Sequence, residues 1–380
     1  MLDLGLAEHT DICVDVGERA EKEYNIETSL NKMYQEWESI DFRLPQFKKT
    51  NTCFVVGFDD AMQILDEHIV MVQAMQFSPF NKPFKDEIDD WNHKMMLVSD
   101  TIEEWIKCQQ QWMYLQPIFD SQDIMRQLPA ETKRFKSVDS TWRHIINNTK
   151  QVPNVLKTCS KEGLLEKFQE ANKNLELVTK GLYDYLETKR SIFARFYFLS
   201  NDELLEILSQ TKEVENVRPH LKKVFENMAN LTFMPDKKIT EMFSGEGECV
   251  KFVKPVDPVD KGVEFWMGDV ERMMQTSVRE VLLNSVEDYK VTKRTEWVFR
   301  HPGQCVLNGS QVHWTAEVED SLNRAGNEGA KEYLDFCNNQ LLETVQLVRQ
   351  RLTKLQTISL NALIVIDVHA KDVVDKLWRS

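Results

Sequence analysis

Apolar side chains in this chain recur at alternating intervals of four and three residues. Leu164, Phe168, Ala171, Leu175, Val178, Leu182 and Tyr185 do so without a break, and Leu341, Val345, Val348, Leu352 and Leu355 repeat the pattern. A period near 3.5 puts one apolar seam on a helix and suits helices packed nearly parallel in bundles or coiled coils. Each seam lasts only about three heptads, which predicts bundle packing rather than a long free coiled coil. Trp91, Met95, Val98, Ile102, Trp105, Trp112 and Leu115 mark a further amphipathic helix, and Val270, Met274, Val278, Val281 and Leu282 another. Only 13 glycines and 11 prolines stand among 380 residues, too few for an all-β fold built on many turns. The expected fold is mainly all-α: helical bundles in series, elongated along one axis, with one small β-hairpin insertion.

The punctuation divides the series. Breaks fall at Pro79–Pro83, at Pro117–Pro129, near Pro153, near Pro219, across Pro235–Gly262 and at HPGQ, His301 to Gln304. Within the fifth of these, MFSGEGECVKFVKPV places a Gly-Glu-Gly turn between two β-prone runs and reads as a hairpin near 239–254. A lone hairpin is marginal in water, so it should pack on helices. The expected parts are an N-terminal helical part at 1–90, a helical bundle at 91–190, a central junction with the hairpin at 191–262, and a C-terminal helical bundle at 263–380.

The junction opens on RFYFLSNDELLEIL, Arg195 to Leu208. Ser200 can cap the following helix while Glu203 reaches back to the Ser200 N–H, a capping box. Leu199 and Leu204 are spaced for a hydrophobic staple across the cap. Phe196, Tyr197, Phe198 and Leu199 form an apolar cluster before the cap, read as buried core. On that reading Phe198→Ala costs on the order of 3 kcal/mol. Arg195, Phe196, Tyr197, Phe198, Leu199, Ser200 and Glu203 are the candidate hinge or junction residues, because a capped corner fixes where the chain turns.

Composition excludes several functions. Charged residues are 28% and apolar ones 42%, ordinary globular proportions. A net charge of −14 repels nucleic-acid phosphates and anionic lipid surfaces. The opening MLDLGLAEHTD lacks the basic and apolar regions of a secretory leader. The longest strongly apolar run, Ala362 to Ile366, is far too short to cross a bilayer. Seven widely spread cysteines show no metal-site spacing and read as reduced thiols, and sequons at Asn147, Asn230 and Asn308 read as chance matches. No P-loop, H-E-x-x-H or EF-hand pattern occurs. GEGE, Gly245 to Glu248, carries acid where a phosphate site needs Lys and Ser/Thr. His313 beside Trp314 reads as a packed or surface residue, and Asp59-Asp60 and Asp89-Asp90 as solvated faces or helix starts. The residues thus predict no catalytic, cofactor or metal site.

Longer stretches carry a resemblance. EEWIKCQQQWMYLQPIFDSQDIMRQLPAETKRFKSVDSTWRHI (Glu103 to Ile145), KGLYDYLETKRSIFARFYFLSNDELLEILSQTK (Lys180 to Lys212) and RPHLKKVFENMANLTF (Arg218 to Phe233) resemble the linker domain of dynein heavy chains. SGEGECVKFVKPV, WVFRHPGQCVL and LIVIDVHAKDVV follow in the family's order. The resemblance runs from about Trp91 to Leu377 and is most like axonemal, inner-arm heavy chains. It implies a mechanical lever lying across a ring of ATPase modules, bending and straightening in the power stroke. The 1–90 part would be tail-proximal, and the 263–380 part would lead toward the first ATPase module. The implied partners are the ATPase ring of the same heavy chain and the tail region, with no nucleic acid, no membrane and no direct microtubule contact. ATP and Mg2+ would be bound by the ring, so the segment itself would be no enzyme and hold no cofactor. The implied location is cytoplasmic and cytoskeletal, in the axoneme of a cilium or flagellum. The other reading open to the sequence is a non-motor helical scaffold that binds protein partners.

Overall fold

Helices α1 (Thr10–Glu38), α2 (Phe58–Gln76) and α3 (Lys85–Ile118) open the computed structural model, which describes residues 9–209 and 213–380. The short α4 (Gln122–Gln127), then α5 (Pro129–Gln151), the short α6 (Val155–Cys159) and α7 (Leu164–Ile192) follow. The chain divides into two compact units, one ending at Tyr185 and the other starting at Leu186, so the division falls inside α7.

In the first unit α3 is the central core element. Trp91, Met95, Val98, Ile102, Trp105, Trp112 and Leu115 are all fully buried, as their spacing predicts. The helix has no glycine, and Pro117, which lacks an N–H, stands in its last turn. Trp105 lies among the rings of Phe42, Phe58 and Phe168, with centroids 5.2, 6.1 and 4.9 Å away. Phe42 belongs to an extended stretch between α1 and α2, closed on itself by bridges Arg43–Val56 and Gln46–Cys53. Gln109 of α3 acts on that stretch as a strand neighbour would. Its Oε1 accepts from the Val55 N–H at 2.7 Å and its Nε2 donates to the Val55 carbonyl at 2.8 Å. The α7 seam is buried from Leu164 to Leu182, but Leu186 rather than Tyr185 is buried next. A straight helix turns every 3.6 residues, so a 3.5-residue seam drifts by about 20° per heptad and burial passes to the following residue.

The second unit holds the rest of α7, a 3-10 turn at Ala194–Phe198, α8 (Asn201–Ser209), a second 3-10 stretch at Val214–His220 and α9 (Leu221–Val224). Strands β1 (Met228–Phe233), β2 (Ile239–Ser244) and β3 (Cys249–Val256) follow, then α10 (Val263–Tyr289), α11 (Arg294–Trp297), α12 (Gly303–Leu347) and α13 (Lys354–Arg379). The expected hairpin is β2–β3, with Met242 opposite Val250. The structure adds β1, antiparallel to β2 with Leu231 opposite Met242, so the insertion is a three-stranded sheet in the order β1-β2-β3. The β3 edge is covered by α10, whose buried Ser277 hydroxyl accepts from the Val253 N–H at 3.0 Å. Within α12 the helix breaks at Ala325–Gly326, where Gly326 takes φ 57° and ψ −131°, a conformation open essentially to glycine alone.

Two expectations are corrected here. The seam from Leu341 to Leu355 is not one helix: α12 ends at Leu347, and α13 starts after a turn. Thr344 and Leu347 are buried, whereas Val345 and Val348 are exposed. Burying Thr344 is cheap because its hydroxyl donates to the Gln340 carbonyl at 2.8 Å. The α13 start is fixed by a capping box, Thr353 with Gln356, written in the sequence as TKLQ. On α10, Val270 is buried, but Met274, Val278, Val281 and Leu282 are only half-buried, and Ser277 and Ser285 take the interior.

Candidate functional site

The corner from Arg195 to Glu203 lies in the second unit, between the end of α7 and the start of α8. Its capping box is formed. The Glu203 N–H donates to Ser200 Oγ at 3.3 Å, and the Ser200 N–H donates to Glu203 Oε2 at 2.9 Å. Leu199 and Leu204 on either side of the cap are both buried.

The aromatic cluster is not uniformly core. Phe193, Phe196 and Leu199 are buried, while Tyr197 is 60% and Phe198 66% exposed. The cause is the 3-10 geometry of Ala194–Phe198: with three residues per turn, side chains three apart point the same way. The Phe193 ring meets Phe196 edge-on at 4.9 Å and reaches Phe225 at 6.4 Å. Phe198→Ala should therefore change stability by no more than about 0.5 kcal/mol, in place of the large loss expected of a buried ring. Ser200→Ala should cost about 1 kcal/mol through loss of the cap. Chemical melts of the two variants check the ranking, and a larger loss for Phe198→Ala would refute the inward–outward sorting.

Two arginines fix the corner. Arg190, in the last turn of α7, is buried and bonds the Leu199 carbonyl at 3.2 Å and Asn201 Oδ1 at 2.7 Å, while Glu187 accepts from its Nη1 at 2.8 Å. Its guanidinium also stands 5.9 Å from the Tyr197 ring, and the Tyr197 hydroxyl donates to Glu187 at 3.2 Å. Arg195 donates from Nε to Glu271 of α10 at 2.7 Å and from Nη1 to the Val224 carbonyl at 3.3 Å. Arg190 is the residue that sequence reading missed. The sequence offered only a basic residue in a last helical turn, and the carbonyl it bonds, that of Leu199, lies beyond that helix.

Glu203 is also tied to α9. The Lys223 ammonium is the main cause that holds its carboxyl down to about 2, followed by the Ser200 backbone N–H and hydroxyl. A carboxyl whose folded pKa lies below its unfolded one stabilises fully above the unfolded value, and that help fades as pH falls toward the folded value. The window here is from 4.5 down to about 2. An NMR titration of Glu203 should show a midpoint near the lower end, and Lys223→Met should raise it. A midpoint at 4.5 in the parent chain would show that the cap is open in solution.

The other candidates resolve into structure. GEGE forms the β2–β3 turn, and Glu248 Oε1 accepts from the Gly303 N–H at 2.6 Å, so its carboxylate occupies the helix start where an anion would sit. His313 stacks on Tyr289 at 4.2 Å with Nε2 2.8 Å from the Val286 carbonyl. Asp59 and Asp60 stand in the first turn of α2. Asp89 accepts from Gln76 at 3.0 Å, and Asp90 pairs with Lys94. All seven cysteines are free thiols, and burial pushes Cys108 up to about 12 and Cys305 and Cys337 to about 11, which keeps them protonated. Among the described residues no group of three or more His, Cys, Asp or Glu could hold a metal ion, and no helix is long and apolar enough to cross a membrane.

The segment is mainly helical with one small three-stranded sheet, and the polar residues of its corner are joined in caps and clamps. Residues 1–285 match the family described as dynein heavy chain, N-terminal region 2, and the chain belongs to the dynein heavy chain family. Axonemal heavy chains are among its relatives. It is 48% identical over 376 residues to dynein axonemal heavy chain 1 of Mus musculus, aligning 99% of this chain with 9% of that protein. It is 43% identical over 376 residues to dynein axonemal heavy chain 12 of Homo sapiens, with 98% and 12% covered, and 41% identical over 379 residues to human dynein axonemal heavy chain 3, with 99% and 9% covered. The likeness thus includes the first ninety residues as well as the motifs after Trp91. The chain spans about a tenth of the length of the curated relatives it matches.

Proposed function

We propose that this chain is the mechanical linker, or lever arm, of an axonemal dynein heavy chain. It couples ATP-driven changes in the ATPase ring of the same heavy chain to displacement of the tail along microtubules in a cilium or flagellum. The observation that carries this reading is identity of 41–48% spread over nearly the whole chain to axonemal heavy chains, in a region described as N-terminal. ATP and Mg2+ belong to the ring, and the lever itself holds no cofactor and binds no microtubule. A lever needs rigid parts with motion confined between them. The Arg195–Glu203 corner, clamped by Arg190 and by its capping box, serves as a fixed edge of the working junction, since hinges absorb motion at element ends next to rigid pieces.

The test uses an intact heavy chain. Structures in two nucleotide states should let the segments before Lys189 and after Phe233 each superpose while the angle between them changes. Phe196→Ala, which loosens the clamped edge, should slow microtubule gliding more than basal ATP turnover. A change of angle lying wholly within Trp91–Lys150, or equal losses of gliding and turnover, would overturn the assignment of the corner.

A further inference from the structure

We propose that an open groove in the second unit is a docking site for a basic amphipathic helix of about three turns, presented by a partner polypeptide. The groove has a volume of about 720 Å3; α13, α10 and the sheet give it apolar walls, and Gln304, Asn308 and Gln311 of α12 give it a polar one. On α13, Leu355, Ile358, Ala362 and Ile366 follow at intervals of three, four and four, with Ile358 43% exposed, while Leu360 and Leu363 of the opposite face are buried in the core. On α10 the wall is Met274 and Val278, the pair whose spacing marks them as core but which remain half-buried. The sheet supplies Met242, Phe243 and Val250.

The size and charge choose the occupant. From Leu355 to Ile366 the α13 stripe runs about 16 Å at 1.5 Å per residue, the length of three helical turns. A helix of that length presents anchors at i, i+4 and i+7 to such a groove. One end of the lining is acidic: Glu226, just before β1, and Glu246, in the β2–β3 turn, are exposed, and Glu248 bonds the start of α12. Arg195 also lines the groove but is paired with Glu271, while the Glu246 carboxylate accepts from Asn227 Nδ2 at 2.8 Å and Lys222 offsets part of its charge. The occupant therefore carries Lys or Arg at the end beside the turn. A second copy of this chain, with its net charge of −14, would bring like charge to that rim.

Fluorescence anisotropy with the 380-residue chain tests this directly. The probe is a synthetic labelled helix with leucines at i, i+4 and i+7 and lysines flanking one end, compared with the same peptide carrying glutamates. The lysine peptide should bind at least about tenfold more tightly than the glutamate peptide, with the difference shrinking at high salt. Ile358→Glu should abolish binding, and Glu246→Lys, a change on an exposed turn, should weaken it by about tenfold. Equal binding of the two peptides, or undiminished binding to Glu246→Lys, would overturn the proposal. So would reversible self-association of the parent chain in ultracentrifugation that Ile358→Glu removes, since the groove would then hold a second copy.

Discussion

Trp105→Ala should lower the stability of the first unit by about 4 kcal/mol, the range for deleting a large ring from a packed core. Trp105 is fully buried and its ring is surrounded by Phe42, Phe58 and Phe168, which come from the extended stretch, α2 and α7. Three separate elements thus lose contacts at once, and the space cannot close by moving one of them. The indole N–H has no hydrogen-bond partner, so the loss is one of packing rather than of a polar bond. Because the chain has two units, a single melting curve does not isolate the effect. Hydrogen exchange of the α3 amides does. Protection falling by less than about 1 kcal/mol would mean that α3 is not the centre of that core.

Asp367→Ala should destabilise the second unit by about 3–5 kcal/mol. Asp367 receives Arg294 Nη2 at 2.6 and 2.7 Å, and the two side chains are only 12% and 8% exposed. Arg294 is further enclosed by the rings of Tyr289 and Trp297, 5.6 and 5.9 Å from its guanidinium, and its Nε has no partner. Removing the carboxylate leaves a buried cation with one more bare donor, which costs more than the pair contributed. Arg294→Met combined with Asp367→Leu removes both charges and should recover most of the loss. Urea melts followed in the second unit compare the single and double variants. A double variant as unstable as the single one would show that packing around the pair, not the stranded charge, sets the cost.

How much of this was legible in the sequence depended on how long each pattern ran. The α3 stripe from Trp91 to Leu115 could be read without error, because seven large apolar residues hold one face over seven turns of uninterrupted helix. The Leu341–Leu355 pattern misled because its second half belongs to another helix, and the TKLQ cap that separates them is only four residues long. Strand β1 escaped notice because a bulge sets its buried residues, Met228 and Leu231, three apart instead of two, and strand pairing is a long-range property that no local window contains. At the corner, the cap was legible from Ser200 and Glu203 alone. The direction of each aromatic was not, since it depends on whether the turn has three or 3.6 residues. The role of Arg190 depended on carbonyls that only the folded corner brings within its reach.

The three-residue turn at Ala194–Phe198 has a genetic consequence. If positions 193 to 199 were randomised together and selected for a folded chain, the survivors should not keep the aromatic run as a block. Phe193, Phe196 and Leu199 should be retained as large apolar residues, whereas Phe198 should accept polar and charged replacements freely. Tyr197 should fall between them, because its ring faces Arg190 and its hydroxyl bonds Glu187. Apart from Arg195, held by Glu271, tolerance across this heptapeptide would then rise and fall with a period of three, the rhythm of a 3-10 turn.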